Sequence, residues 1–296
     1  MNYVLFHKGI LPKHIEYCIN SILSVDKNSK IYLISDDQKD YKNIHFINLN
    51  DLEKPNFIKD FNEHLKENNL AENPLWLTSL ERIFYINYLA HQEGLSEFIH
   101  FDNDVILYKP FDEIKNYFEK LKKGFYITGL NDRNLVFGYS FINSLKSFDL
   151  ICKEVKKIIE NYAFYELMHN RNKPLNEMRI LSIIKSENSK LIHELPILPY
   201  GNNKLIFDPA SYGQYLGGTH QKPKRFFREN FATQEHIIGK EIISKRITVD
   251  FKNKEPIICS SLEGEYVLVN LHIHSKELEK FVPKNFTKFF TLPTKD

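Results

Sequence analysis

The first hundred residues alternate short apolar blocks with longer stretches whose apolar residues recur every three or four positions. Tyr3 to Phe6 is a block of the first kind. Pro12 follows, a residue suited to a first helical turn, and then Ile15, Ile19, Ile22 and Leu23 at helical spacing. Lys30 to Ser35 (KIYLIS) is a second strand-like block that ends in Asp36-Asp37, and Ile44 to Leu49 is a third. Strand, helix, strand in this rhythm predicts a parallel sheet with helices on its faces. Ligands in such sheets bind at the carboxyl ends of strands, which places His7, Lys8, Asp36 and Asp37 beside a prospective cleft.

Leu75 to His91 reads as a helix with an apolar stripe of Leu80, Ile83, Phe84 and Tyr88. Residues 98 to 111, FIHFDNDVILYKPF, are an apolar strand, three polar residues and a second apolar strand. Asp112 to Lys123 has an amphipathic helical pattern. Phe125 to Gly129 and Phe137 to Ile142 are strand-like, and Ser147 to Glu160 and Asn176 to Ser186 are helical. From Pro196 the pattern becomes irregular and glycine-marked, until Tyr266 to His274 (YVLVNLHIH) reads as one late strand before a Lys/Phe-rich tail. No repeat, low-complexity segment or linker divides the chain. The expectation is one α/β domain over residues 1–296 with a C-terminal elaboration.

Composition narrows the class. Hydrophobic residues make up 42% and charged residues 26%, the profile of a soluble globular protein. The formal net charge of +2 leaves no nucleic-acid footprint. Cys18, Cys152 and Cys259 are far apart and show neither disulfide nor metal-ligand spacing, so buried thiols in a reducing cytoplasm are expected. The N-terminal apolar run lacks a basic region before it and a small-residue cleavage site, and it reads as a first strand. No apolar run reaches the roughly 18 residues that span a bilayer.

The chemistry is concentrated at Asp102-Asn103-Asp104. Carboxylates between two apolar strands are expensive to bury without a partner. At a strand end they form a hard oxygen-rich site suited to Mg²⁺ or Mn²⁺, cations that share ligands with substrate phosphates. The plain alternative is a polar turn in a β-hairpin, since Asn and Asp favour turns.

The stretch LTSLERIFYINYLAHQEGLSEFIHFDNDVILYKPF resembles the D-x-D region of GT-A-fold glycosyltransferases, and IFDPASYGQYLGGTH (206–220) resembles a segment of bacterial surface-polysaccharide enzymes. The resemblance implies a Rossmann-type mixed sheet with helices on both faces. It implies a nucleotide-binding half in 1–130, an acceptor half with metal-site closure in 131–276, and a tail in 277–296. It also implies that Asp104 ligates the metal, that Asp102 contacts metal or ribose beside Asn103, and that Arg82 lies near the nucleotide. His7 and Asp36 complete the expected donor site. In several such families a C-terminal histidine completes the metal shell and a nearby lysine touches the diphosphate. VNLHIHSK offers His272, His274 and Lys276 for those parts, although the glycogenin-like H-x-x-G-x-x-K spacing and its glycine are missing. Residues 270, 272 and 274 share a face if the strand is continuous. Two polar residues on the wet face of an edge strand are the alternative.

Glu177, at a helix start, and Asp208, in an Asp-Pro turn, are the candidate catalytic carboxylates, since inverting transfer needs a general base. Each also has a purely local reading, as a first-turn acid or as a turn residue. The basic, aromatic run QKPKRFFREN (221–230) is a solvated loop or, functionally, a mobile lid or a contact for an anionic acceptor. Phe281, Phe286, Phe289 and Phe290, interleaved with Lys280, Lys284 and Lys288, either pack on the domain or rest on an anionic membrane surface. The expected function is transfer of a sugar from a nucleotide donor, a UDP-sugar, to a glycan hydroxyl in surface polysaccharide synthesis. The expected place is the cytoplasm, with any membrane contact peripheral at the inner face. Two rivals are a non-catalytic nucleotide- or sugar-binding domain and a nucleotidyltransferase. The second is disfavoured because FHKGILPKH supplies only Gly9 where a phosphate loop would need several glycines.

Overall fold

The computed structural model describes residues 1–37, 41–52, 74–169, 175–200, 204–218, 235–262 and 264–292. The basic run at 221–230 lies outside them. Strands β1 (Asn2–His7), β2 (Lys30–Ser35) and β3 (His45–Asn48) pair in parallel, and β1 also pairs in parallel with β4 (Phe98–Phe101). The sheet then turns mixed. β7 (Asn134–Ile142) runs antiparallel to β4 and to β6 (Phe125–Asn131), and β8 (Ile192–Glu194) closes the order β3-β2-β1-β4-β7-β6-β8.

Side-chain alternation along β1 divides the core. Val4 and Phe6 face a cluster built with α2 (Pro74–Gln92), α4 (Leu145–Glu160), α5 (Tyr162–His169) and α6 (Glu177–Glu187). Tyr3 and Leu5 face the other way, onto α1 (Ile15–Val25) and α3 (Phe111–Phe118). Every strand of the sheet's centre is therefore covered on both faces, and the strands read as continuous apolar runs for that reason.

Two expectations change. The helix that starts at Phe111 ends at Phe118 rather than at Lys123. The chain beyond it is captured: the Lys122 carbonyl accepts from the Tyr126 hydroxyl and the Asn143 amide, and Asn143 Oδ1 accepts from the Gly124 N–H at 2.7 Å. The late strand 266–274 is also not continuous. It breaks at Val269 into β12 (Gly264–Leu268) and β13 (Asn270–His272), and the halves join different sheets. β12 belongs with β9 (Leu205–Ile206), β10 (Ile247–Lys252) and β11 (Glu255–Ser260), whereas β13 pairs antiparallel with β5 (Val105–Leu107). Between β9 and β10 the chain forms the short helices α7 (Ser211–Gly217) and α8 (Ile237–Ile243).

The tail packs on the domain. Phe281 and Phe290 are buried, and Phe286 stacks on Tyr17 at 6.0 Å, while Phe289 stays exposed. Buried Asn20 of α1 fastens this segment: its Oδ1 accepts from the Phe289 and Phe290 N–H groups at 2.6 Å each, and its Nδ2 donates to the Phe290 carbonyl. Cys18 and Cys152 are buried free thiols and Cys259 is half-buried. Replacing Asn20 by Ala strands two backbone donors. The expected result is a loss of about 1–3 kcal/mol in urea unfolding, together with faster proteolytic release of the segment after Pro283. An unchanged cleavage pattern would show that the rings alone hold the tail.

Candidate active site

The D-N-D triplet is not a hairpin turn. β4 lies in the large sheet and, among the described residues, β5 pairs only with β13, so Asp102 to Asp104 bridge two sheets at the carboxyl end of β4. The Asp102 N–H donates to the Gly138 carbonyl at 2.9 Å, and the Val105 N–H donates back to the Asp102 carbonyl at 3.2 Å. Pairing of His272 with Val105, continued by the Ile273 N–H to the Asp104 carbonyl at 2.8 Å, brings the C-terminal histidine onto this turn.

Three possible ligand groups converge there. One donor atom each from Asp102, Asp104 and His272 lies within 4.8 Å of the others. His272 Nε2 is 3.1 Å from Asp104 Oδ1 and 3.9 Å from Asp102 Oδ2. The ring is seated by Gly138, where a Cβ would come within 2.7 Å of His272 Nδ1. A glycine inside a strand marks such a close approach. His274 is outside this group, because the strand ends at His272 and the shared face does not reach it. Lys276 adopts a left-handed φ of 66°, and its ammonium returns to pair with Asp104 Oδ2, a residue 172 positions earlier.

The charges explain the protonation. Burial pulls Asp104 upward, but the His272 imidazole and the Lys276 ammonium beside it hold its pKa well below the usual carboxylate range. Burial pushes the His272 pKa down, yet Asp104 outweighs it and the net shift is upward. Without a divalent cation, these two basic groups supply the positive charge that the buried carboxylate requires.

Behind the turn stands Arg82 on α2. One guanidinium nitrogen pairs with Asp102 Oδ1, and the other donates to Glu177 Oε1 and Oε2 at 3.0 and 3.2 Å. Arg82 also lies over the Phe137 ring at 5.2 Å. Glu177 is placed by the Asn176 side chain, which caps α6 by accepting from the Arg179 N–H at 3.2 Å. Burial raises the Glu177 pKa despite Arg82. Neutral His100 underlies the group; burial and Arg82 take its pKa down to about 3, and its Nδ1–H donates to the Val4 carbonyl at 2.7 Å.

On the opposite flank, Asn103 links the triplet to the loop after β1. Its Nδ2 donates to His7 Nδ1 at 2.9 Å, and its Oδ1 accepts from His14 Nε2 at 3.1 Å. His7 and Asn103 are thus brought together as the sequence suggests, while His14, inside HKGILPKH, escaped it. Asp36 and Asp37 shape that loop by accepting from the Gly9 and Leu11 N–H groups at 2.6 and 3.2 Å. Gly9 has φ +95°, and Lys8 pairs with buried Glu81 at 2.7 Å. Asp208 is fully buried beside His272, and its carboxylate oxygens accept backbone N–H groups at 2.9 Å from Tyr212, Gly213 and His272.

No family model matches this sequence, and no curated protein matches it. Similar solved structures include the apo form of mouse xyloside xylosyltransferase 1, with a TM-score of 0.46 and 10% identity over 70% of this chain and 88% of that one. The galactosyltransferase LgtC with donor and acceptor sugar analogs gives 0.40 and 13% over 66% of this chain and 73% of that one. The glycosyltransferase GlyE of Streptococcus pneumoniae gives 0.38 and 13% over 66% of this chain and 44% of that one. All three solved proteins are glycosyltransferases.

Protonation of His272 stabilises the metal-free protein and would oppose any cation held through its imidazole. Its folded pKa is raised above 6.5, so its pairing with Asp104 stabilises the metal-free protein fully below that pH and fades as pH rises through the folded pKa. Metal ligation needs the neutral imidazole, so Mn²⁺ affinity should rise by about tenfold per pH unit below the folded pKa. Calorimetric titration from pH 5.5 to 8.5 checks this. His272→Ala should flatten the slope, and an equally steep slope in that variant would assign the proton to another group.

Proposed function

We propose that this chain is a metal-dependent glycosyltransferase that takes a nucleotide-sugar donor. The observation that carries the reading is the convergence of Asp102, Asp104 and His272 at the carboxyl end of β4. The residues fit a divalent cation. Two carboxylates and one imidazole suit Mn²⁺, and donor atoms within 4.8 Å of one another can share an ion whose bonds are about 2.0–2.6 Å long. Asp102, Asp104 and His272 would hold it, and when bound it would neutralise charge developing on a diphosphate leaving group.

The chain's own groups have definite parts in this proposal. Lys276, whose ammonium rests on Asp104, is within reach of any diphosphate that shares the site and adds a point charge against it. Arg82 fixes the Asp102 carboxylate in one orientation through its second pair to Glu177. Glu177, with both oxygens on Arg82, acts first by holding that guanidinium. The Asn103 amide with His7 and His14 forms the polar wall suited to the nucleoside, with Asp36 shaping the loop that carries it. We further assign the donor as a UDP-sugar and the acceptor as a hydroxyl of a growing surface glycan, met on the cytoplasmic side of the membrane. No helix among the described residues is long and apolar enough to cross a membrane.

A thermal-shift screen of nucleotide sugars with and without Mn²⁺ tests the reading. A ligand present at 100 times its Kd stabilises the native state by about 2.7 kcal/mol. A UDP-sugar should raise Tm only when Mn²⁺ is present, and sugar release should accompany binding. Asp104→Ala should lose both effects while keeping its fold. Full Mn²⁺-dependent turnover by that variant would remove the proposal, and pyrophosphate chemistry in place of sugar release would mark a nucleotidyltransferase.

A further inference from the structure

We propose that Asp208 is a positioning residue that sets His272 against Asp104, rather than a base that meets the acceptor; the inference rests on the metal site proposed above. Asp208 is 0% exposed, and both its oxygens are engaged by backbone donors. Oδ1 accepts from the Tyr212 N–H, and Oδ2 accepts from both the Gly213 N–H and the His272 N–H, each at 2.9 Å. A carboxylate so occupied, without exposed surface, is poorly placed to take a proton from a substrate hydroxyl. It is well placed to fix a backbone, since it joins the first turn of α7 to the last residue of β13 across 64 positions of sequence.

A second pair of bonds joins the same two segments. Asn270 Oδ1 accepts from the Asp208 N–H at 3.2 Å, and Asn270 Nδ2 donates to the Asp208 carbonyl at 3.2 Å. Asn270 is itself fully buried. The contact between the segments is close: a Cβ on Gly213 would fall 1.9 Å from the His272 carbonyl oxygen, so only glycine lets α7 approach that near. Ala210, between Asp208 and α7, holds a left-handed φ of 82°, a conformation that persists in a non-glycine residue only when its surroundings impose it. The Asp208 bonds to the next turn are such an imposition. His272 is therefore clamped from behind by Asp208, Asn270 and Gly213, and from the side by Gly138. Its Nε2 is left directed at the Asp104 carboxylate. Groups that orient a metal ligand in this manner change metal affinity by about 10–100-fold when lost.

The test combines Asp208→Asn, which keeps size and one good acceptor, with Asn270→Ser and His272→Ala. Mn²⁺ affinity is measured calorimetrically on the full chain, and the His272 ring is followed by ¹⁵N NMR without metal. The expected results are a Kd for Mn²⁺ weaker by about 10–100-fold in Asp208→Asn, a smaller loss in Asn270→Ser, and a shifted His272 ring signal in both. Because Asp208 acts through His272, Asp208→Asn should cost no further affinity in the His272→Ala background. Losses that add there, or an Asp208→Asn protein that keeps wild-type Mn²⁺ affinity and an unmoved His272 signal, would overturn the proposal. So would unchanged Mn²⁺ affinity with loss of the acidic limb of the rate–pH profile, the signature of a base. A wild-type chain that binds no Mn²⁺ would end the metal reading; a His272 signal displaced by Asp208→Asn would still establish the clamp, and an unmoved one would end that too.

Discussion

The pairing of β5 with β13 is the constraint on which the site depends. It sets His272 opposite Val105 and Asn270 opposite Leu107, so a segment near the C-terminus meets the turn that follows β4. Both strands are buried, and their backbone groups need each other there. Once this register is fixed, Asp104, His272 and Lys276 cannot avoid one another, and their charges must balance. One buried carboxylate with two basic partners is a stable arrangement without an ion, and the same geometry presents ligand atoms to a cation. Slipping β13 by one residue would turn His272 away and put Leu271 or Ile273 against the carboxylates.

Around that crossing the site is built in layers of opposite charge. Arg82 stands between Asp102 and Glu177, so each carboxylate has a cation and the cation has two acceptors. Neutral His100 and the Phe137 ring lie beneath it, an apolar floor that strengthens those pairings by excluding water. Asn103 carries the arrangement out to His7 and His14 through hydrogen bonds, beside a loop whose backbone the Asp36 and Asp37 carboxylates hold. The two flanks thus differ in kind: ion pairs to the triplet's carboxylates hold one, and side-chain hydrogen bonds through Asn103 hold the other.

Much of the fold is legible in the sequence because each element's pattern agrees with its environment. KIYLIS is a strand over the residues its pattern marks, since all but its first residue are buried. The α2 stripe of Leu80, Ile83 and Phe84 faces the core as its spacing requires. D-N-D is legible because carboxylates between apolar strands demand a partner. The break at Val269 is not, since the apolar run YVLV passes directly into the alternating NLHIH and nothing local shows that the halves serve different sheets. The end of β13 at His272 is equally hidden, and it is why His272 and His274, equivalent on a continuous strand, have different surroundings. Asp208 was legible only as a turn residue or a base, because its acceptors' partners lie 64 positions away as well as next to it. Gly138 and Gly213 carried the missing signal: glycines that nothing in their own element requires, each making room for His272.

Anomalous scattering from crystals soaked in Mn²⁺ would show whether Asp104 and His272 hold a cation. One strong peak is expected, bonded at about 2.0–2.6 Å to an Asp104 carboxylate oxygen and to His272 Nε2, with the Lys276 ammonium moved off Asp104. A peak bound elsewhere, or a wild-type site that excludes Mn²⁺ and keeps Lys276 and His272 on Asp104, would contradict it and leave this cluster a structural ion pair.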